Sequence, residues 1–232
     1  VSGKTFFWSG EYSPDMNDRR TLDTQLNVFA TFQPKLPAHY RQTPFLFLGN
    51  IDPELQSSVQ RQMVSPQLVA GDTMNFWIEG KRAELEVTLR NMNLLIINDS
   101  EARLLSGEYN LAKAARVIRA LGPHTVVIKR GDNGASMFQE DEVFSVPALP
   151  LEEIHDPTGA GDSFGGGFMG YLVSHSTEGN STGRNFFRRA VIYGSVMGSF
   201  AVERFGLERL RHLSRPEIEA RFEEFRKLTR FE

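Results

Sequence analysis

The fold is decided by the stretch Asp156-Pro157-Thr158-Gly159-Ala160-Gly161-Asp162-Ser163-Phe164-Gly165-Gly166-Gly167-Phe168. Its small residues precede a segment in which Phe164, Phe168, Tyr171 and Leu172 fall on one helical face, which predicts a loop that opens a buried helix. The first N–H groups of a helix have no partner within the helix and lie at the positive end of its dipole. Because glycine and alanine have minimal side chains, an anion such as phosphate could sit directly on these donors.

Asp162 falls in the first turn of the predicted helix. A carboxylate there could accept a proton from a hydroxyl group that lies beside a bound phosphate. Glycine-rich loops that are capped by an aspartate also occur without any such function. The stretch alone therefore leaves two interpretations open, an anion site with a base and a plain helix start.

Composition limits the classes of function that need consideration. The chain has 40% hydrophobic residues and a formal net charge of -3, so it lacks the surplus of positive charge that a nucleic-acid-binding protein uses. It contains no cysteine, which excludes disulfides and thiolate metal sites. No apolar run approaches the roughly 20 residues of a membrane span. We expect a cytoplasmic chain with a small-molecule partner and neither nucleic acid nor membrane as a partner.

From Pro44 onward, predicted strands and helices alternate, which is typical of an open α/β sheet with right-handed crossovers. Continuous apolar runs that end in polar residues predict four buried parallel strands. These strands cover residues 45–50, 67–72, 94–98 and 125–129, and a hairpin at the sheet edge covers 134–138 and 143–146. The predicted helices cover 53–63, 79–90, 100–106, 111–121 and 184–205, and a last one starts at the capping box of Ser214 and Glu217.

The N-terminal part of the chain predicts a different structure. Residues 5–8 form an aromatic run, and residues 26–32 alternate with a period of two, so we expect a small antiparallel sheet. We therefore divide the chain into a small antiparallel sheet at 1–33 and an α/β domain at 34–232. Since isolated hairpins are marginally stable, we also expect that the sequence begins partway through a longer protein.

Polar residues follow the predicted strands at the points where ligands of open α/β sheets collect. Each of them could also belong to an ordinary turn, but their convergence on one edge favours a site. These residues are Asn50, Asp52, Asp72, Asn75, Asn98, Glu101, Lys129 and Gly131.

Three segments carry a resemblance to a known family. The stretch from Asp156 to Asp162, followed by Ser-Phe and small residues, resembles the second signature of the ribokinase-like (PfkB) carbohydrate and nucleoside kinases. Asn98-Asp99-Ser100-Glu101 resembles the Asn-x-x-Glu motif of that family, and 129–134 is similar to its nucleotide-contacting strand and turn. The resemblance implies a three-layer αβα fold with a mostly parallel sheet and a small β lid. Residues 1–33 would then be the β lid strands, and residues 34–232 the α/β nucleotide-binding and catalytic domain. The N-terminal Gly-Gly motif that members usually carry is not found ahead of the lid in this sequence, and Lys129 stands where many members have a small hydroxyl residue.

The resemblance implies ATP-dependent transfer of the γ-phosphoryl group to a hydroxyl. Asp162 would be the base, and the N–H groups of Gly159, Ala160 and Gly161 would form an anion hole. The residues implied in cofactor binding are Asn98, Glu101, Lys129, Gly131, Gly134 and Thr158. Glu101 would hold Mg²⁺ through water, as Mg²⁺ keeps several of its waters. A monovalent cation such as K⁺ would lie near Asp156, Ala201 and Gly206.

The acceptor is the least determined part of this prediction. Asn50, Asp72 and Asn75 could bind sugar hydroxyls together with Asp162. The aromatic lid residues could stack on a nucleobase or simply pack the lid, so a nucleoside acceptor remains an alternative. A catalytically silent binding relative is a further alternative. A dinucleotide-dependent oxidoreductase would need its glycine fingerprint after an early strand, and here the loop comes late. The exposed lid strands also suggest a homodimer formed by strand pairing.

Overall fold

The structure is a computed structural model, and it describes residues 2–14, 16–17, 19–176 and 184–230. Its main part is a six-stranded sheet whose spatial order follows the chain order. The strands are β3 (Phe45–Leu48), β4 (Leu68–Gly71), β5 (Leu94–Asn98), β6 (Thr125–Lys129), β7 (Ala135–Gln139) and β8 (Glu142–Val146). Strands β3 to β6 are parallel, and β7 and β8 add an antiparallel hairpin at one edge, as predicted.

Helices cover both faces of this sheet. They are α1 (Pro53–Gln62), α2 (Asn75–Gly80), α3 (Arg82–Leu89), α4 (Asp99–Ser106), α5 (Leu111–Ala120), α6 (Ala160–Ser174), α7 (Arg184–Ala201) and α8 (Arg215–Thr229). One hydrophobic cluster joins the sheet to α6, α7 and α8, and a second joins it to α1 to α5. The predicted three-layer α/β fold is therefore confirmed. None of the helices in the described ranges combines the length and the apolar character that a membrane span requires.

The N-terminal strands form a separate two-stranded antiparallel sheet, β1 (Phe7–Tyr12) and β2 (Arg19–Gln25). The prediction of a strand at residues 26–32 was wrong, because Asn27–Thr31 is a short 3₁₀ helix. Asn27 has a positive φ of 51°, which ends the extended backbone. Phe29 and Phe32 then stack three residues apart, with ring centroids 5.8 Å from each other. Three residues make one 3₁₀ turn, so the same apolar residues fit this geometry as well as a strand.

Two helix predictions need correction. The helix expected over 79–90 is two helices, since Lys81 takes a non-helical φ of -139° between α2 and α3. The apolar spacing in α8 predicts that Ile218, Phe222, Phe225 and Leu228 face inward. Phe222 and Phe225 are buried, but Leu228 is 45% exposed. The last turn of α8 therefore extends beyond the core. The capping box of Ser214 and Glu217 is present at its start, as predicted.

Helix α6 packs against α7 at unusually short range. A Cβ atom at Gly167 would lie 2.6 Å from the Tyr193 carbonyl oxygen of α7, and one at Gly194 would lie 3.0 Å from the ring of Phe164. Packing thus explains the glycines of α6 and α7 at this contact. Phe168 of α6 is fully buried, and its ring centroid lies 6.4 Å from that of Phe187 in α7.

We expect Gly167→Ala to lower the free energy of unfolding by about 1–3 kcal/mol, because the new methyl group meets the Tyr193 carbonyl oxygen and the Met197 side chain. Gly166→Ala is the matched control, since open space surrounds that position. It should leave stability unchanged or raise it by about 0.5–1 kcal/mol through helix propensity. Urea denaturation of both variants provides the measurement. Equal effects of the two substitutions would contradict this account of the helix contact.

Candidate active site

The alternation of side chains along the buried strands brings three polar residues to one face of the sheet. Ala70, Ile96 and Val127 belong to the cluster that packs on α6 and α7. Residues two positions further along a strand point to the same face. Asp72, just after β4, and Asn98 and Lys129, the last residues of β5 and β6, therefore lie on the α6 side of the sheet. Asn98 and Lys129 are direct neighbours in the register.

The start of α6 lies at the same edge of the sheet. Gly159 is its N-cap and takes a left-handed conformation with φ 80° and ψ 0°, which glycine adopts without strain. No side chain caps the helix, and Asp162 lies exposed in its first turn. Of the three N–H groups predicted to bind an anion, that of Ala160 donates to the Pro157 carbonyl at 3.2 Å. An anion at this helix start would therefore compete with Pro157 for the Ala160 donor.

Lys129 reaches the helix start from the sheet. Its ammonium nitrogen lies 2.6 Å from the position that a Cβ atom at Gly161 would occupy. The absence of a side chain at Gly161 thus gives the ammonium direct access to the first turn of α6. Within the described part of the chain, Lys81 forms ion pairs with two carboxylates, whereas Lys129 forms none.

Asp72 is the buried acidic group of this region, with only 6% of its surface exposed. Its Oδ1 atom and the neighbouring Thr73 Oγ1 atom have no hydrogen-bond partner among the described residues. Burial is the largest effect on Asp72 and raises its pKa from 3.8 to about 7. The Lys129 charge opposes this increase, while the charges of Asp162 and Glu101 add to it. Four of the predicted site residues therefore interact electrostatically.

Asn98 and Glu101 form a capping box at the start of α4. The Asn98 side chain accepts from the Glu101 N–H at 2.8 Å, and the Glu101 carboxylate accepts from the Asn98 N–H at 2.9 Å. Glu101 is buried, with 6% of its surface exposed. This reciprocal pair fixes both side chains at the end of β5, next to Lys129.

Asp156 organises the loop that precedes α6. Its carboxylate accepts from the Thr158 N–H at 2.9 Å and from the Gly206 N–H at 3.1 Å. Burial alone would raise the pKa of Asp156, but the hydrogen bonds from Thr158 and Gly206 outweigh it and lower the pKa. Ala201, the last residue of α7, is buried close by in sequence to Gly206. The three residues predicted around a monovalent cation thus lie on the loop before α6 and on the segment from the end of α7 to Gly206. The Asp156 carboxylate links these two segments through the Gly206 N–H.

The lid contacts two loops of the candidate site, and sequence reasoning missed the specific contacts. Tyr12 and Thr158 share a hydrogen bond of 3.1 Å between their hydroxyl groups. Asn17 accepts from the Asp132 N–H at 3.3 Å, in the turn between Gly131 and Gly134. Both glycines have positive φ, and a Cβ at Gly134 would lie 2.0 Å from the Val146 carbonyl oxygen. The predicted nucleotide turn therefore lies under the lid.

The predicted acceptor residues are less closely grouped. Asn50 accepts from the Trp77 indole N–H at 3.0 Å, so part of its hydrogen-bonding capacity is used within the protein. Asn75 lies exposed at the first position of α2. Asp52 caps α1 and pairs with Lys81 at 2.7 Å, which indicates a structural role. Among the residues predicted to bind the acceptor, Asp72 lies close enough to Asp162 for the Asp162 charge to raise the pKa of Asp72.

The fold and the site together define an open α/β protein with an uncapped, glycine-rich helix start and a carboxylate in its first turn, facing polar residues at the ends of parallel strands. The model of the pfkB family carbohydrate kinases matches residues 71–211. This is more than half of the chain, and the chain belongs to this family.

Individual relatives agree with this assignment. A cytidine kinase of Thermococcus kodakarensis is 30% identical over 148 residues, which cover 62% of this chain and 53% of that protein. A nucleoside kinase of Methanocaldococcus jannaschii is 22% identical over 178 residues, 73% of this chain and 55% of that protein. The crystal structure of a ribokinase from Thermotoga maritima superposes with a TM-score of 0.72 at 25% identity, covering 97% of this chain and 71% of the other. The chain thus spans about half the length of these two curated relatives.

We expect Asp72 to make stability depend on pH. Because its native pKa is about 7 and its unfolded pKa is near 4, the native chain binds more protons between these values. The contribution of Asp72 to stability should therefore be lost as the pH rises through this window. The free energy of unfolding of the parent chain, minus that of Asp72→Asn, should fall by roughly 2–4 kcal/mol from pH 4 to pH 8.

Urea denaturation at several pH values measures this difference. Asp141→Asn is the matched control, because Asp141 is exposed in the turn between β7 and β8. Its difference from the parent chain should stay nearly constant over the same range. A constant difference for Asp72→Asn as well would show that this carboxyl is not buried as described.

Proposed function

We propose that the protein is an ATP-dependent kinase that transfers the γ-phosphoryl group to a hydroxyl of a sugar or related small molecule. The observation that carries this proposal is the position of Asp162, in the first turn of an uncapped helix whose start also receives the Lys129 ammonium. Backbone donors, a cation and a carboxylate then lie together at the carboxyl ends of parallel strands. Membership of the pfkB family supports the same reaction class.

In this reaction Asp162 accepts the proton of the acceptor hydroxyl. The acceptor oxygen forms the new bond to phosphorus as the bond to the leaving oxygen breaks, and ADP departs with that electron pair. The N–H groups of Gly159, Ala160 and Gly161 stabilise the charge on the transferred group, since such donors act where charge develops. This assignment requires the Ala160 N–H to release the Pro157 carbonyl.

The remaining ligand assignments fit the residues that are present. The described residues contain no group of three or more acidic or histidine side chains that could hold a metal ion directly. Mg²⁺ keeps several waters when it binds with substrate phosphates, so Glu101 would contact it through water. The residues that would surround the nucleotide are Asn98, Lys129, Gly131, Gly134 and Thr158. Asp156, with the backbone around Ala201 and Gly206, would hold a monovalent cation such as K⁺.

A nucleoside acceptor is the second candidate. The first two curated relatives named above are a cytidine kinase and a nucleoside kinase. In either case Asp72 would accept a hydrogen bond from an acceptor hydroxyl through its unpartnered Oδ1 atom, and Asn50 and Asn75 would complete the acceptor site. The exposed lid residues Phe6 and Phe7 would cover the acceptor or pair two lids in a homodimer.

The test is ATP consumption with magnesium over a panel of sugars, sugar phosphates and nucleosides. We expect turnover with one class of acceptor and a loss of at least about a hundredfold in kcat for Asp162→Asn, since a positioned general base contributes about that much. Asp141→Asn removes a carboxylate of the same size from an exposed turn and should keep the activity. Turnover that survives in Asp162→Asn would contradict the assigned base. A folded chain that binds ATP without turning over any acceptor would favour the silent relative.

A further inference from the structure

The side chain of Lys129 has a position that the nucleotide-lining role does not explain. Lys129 is the last residue of β6. It lies on the same face of the sheet as Val127, the face that packs against α6. Its ammonium lies over Gly161, and the Lys129 Nζ and Cε atoms are the atoms that a Cβ atom at Gly161 would approach within 4 Å. The cation therefore occupies the surface of the first helical turn, beside the residue that carries the proposed base.

This position is electrostatically unusual. The N-terminus of a helix carries partial positive charge, so a cation placed there is repelled unless negative charge compensates. Asp72 supplies that compensation in part, since among the charged neighbours of Asp72 the Lys129 charge has the largest effect. A bound anion would interact favourably with the ammonium and with the helix start at once. Lys129 is therefore placed to bind an anionic ligand at the start of α6.

A second observation indicates that a ligand group belongs at this point. Only 6% of the Asp72 surface is exposed, yet its Oδ1 atom and Thr73 Oγ1 have no hydrogen-bond partner among the described residues. Buried polar atoms are normally hydrogen-bonded, so unpartnered ones mark places where a ligand or a bound water completes the structure. The Asp72 carboxyl lies close enough to Lys129 and to Asp162, in the first turn of α6, for their charges to interact. The two observations are independent, because one concerns a cation and the other hydrogen-bond acceptors.

We propose that Lys129 is a catalytic residue that contacts the transferred phosphoryl group, with Asp72 holding its ammonium over Gly161. This inference rests on the proposed kinase function and assigns a role within it. The Asp162 carboxylate, in the same helical turn, is where the acceptor hydroxyl loses its proton, so the adjacent ammonium lies where the new bond to phosphorus forms. In the transition state, negative charge is spread over the equatorial oxygens of the phosphoryl group, and a fixed cation beside them stabilises that charge. Lys129 should thus strengthen the binding of a nucleotide that carries the terminal phosphate more than the binding of one that lacks it.

Binding of two nucleotides tests this role without turnover. Isothermal titration calorimetry, with magnesium present, would compare ADP with the non-hydrolysable analogue AMP-PNP. For Lys129→Met we expect AMP-PNP affinity to fall by about 10- to 100-fold, the loss typical of a charge-assisted hydrogen bond. The affinity for ADP should change by less than about threefold on the same scale. Lys113→Met is the matched control, because Lys113 is exposed on α5.

Two further variants separate charge from folding. Lys129→Gln removes the charge and keeps a polar side chain, while Lys129→Arg keeps the charge. Lys129→Arg should bind AMP-PNP more tightly than Lys129→Gln, and with the preferred acceptor the Lys129→Gln variant should lose about a hundredfold in kcat, with the acceptor KM changed little.

Equal losses of ADP and AMP-PNP affinity would overturn the inference, because they would make Lys129 a lining residue of the whole nucleotide. Unchanged affinity for both nucleotides would overturn it as well, as would tighter AMP-PNP binding by Lys129→Gln than by Lys129→Arg. If the parent chain binds neither nucleotide, the proposed function itself fails. That outcome is distinct from normal nucleotide binding that does not respond to Lys129.

Discussion

The site depends on one constraint, the two-residue period of parallel strands that are buried on both faces. Ala70, Ile96 and Val127 must face α6 and α7, since they belong to the core on that side. Their neighbours Val69, Leu95 and Val126 fill the other core. With both faces apolar, a shift of one residue in a strand would exchange the two sets and move its terminal polar residue to the wrong face. Core packing therefore fixes which side chains meet the start of α6.

The position of α6 provides the other half of the arrangement. A Cβ at Gly165 would lie 2.9 Å from the ring of Phe47, and one at Gly167 would meet α7, so the helix is held on both sides through its glycines. The glycines at the helix start have another purpose, because Gly159 adopts a positive φ and Gly161 accommodates Lys129. The same glycine-rich stretch thus combines close packing along the helix with access to its first turn.

Much of this architecture could be predicted from the sequence, and the failures have physical causes. Strands β3 to β6 are predictable because strands that are buried on both faces are continuous apolar runs. The bounds of the lid strands are not, since β1 and β2 form an isolated pair with much exposed surface and carry little hydrophobic pattern. The alternation at 26–32 predicted a strand although it also fits a 3₁₀ turn.

The candidate site divides in the same way. The rule that ligands collect at the ends of parallel strands identifies Asp72, Asn98 and Lys129 without any structure. It cannot show that Asn50 is engaged by Trp77, because that contact depends on how α2 packs. The contact of Asn17 with Asp132 joins residues 115 positions apart, and no local pattern indicates it. Local sequence predicts the ends of elements, whereas contacts between the lid and the domain require the assembled fold.

The charges at the helix start also explain why the site carries a stability cost. A buried carboxyl without a full set of hydrogen bonds is unfavourable, and proteins retain such features mainly at functional sites. Asp72 could be replaced by an apolar residue if β4 only had to pack. In the proposed arrangement its carboxyl balances the Lys129 ammonium, which the positive helix end would otherwise repel. The cost of burying Asp72 is therefore linked to keeping a cation at the place where negative charge is expected to arrive.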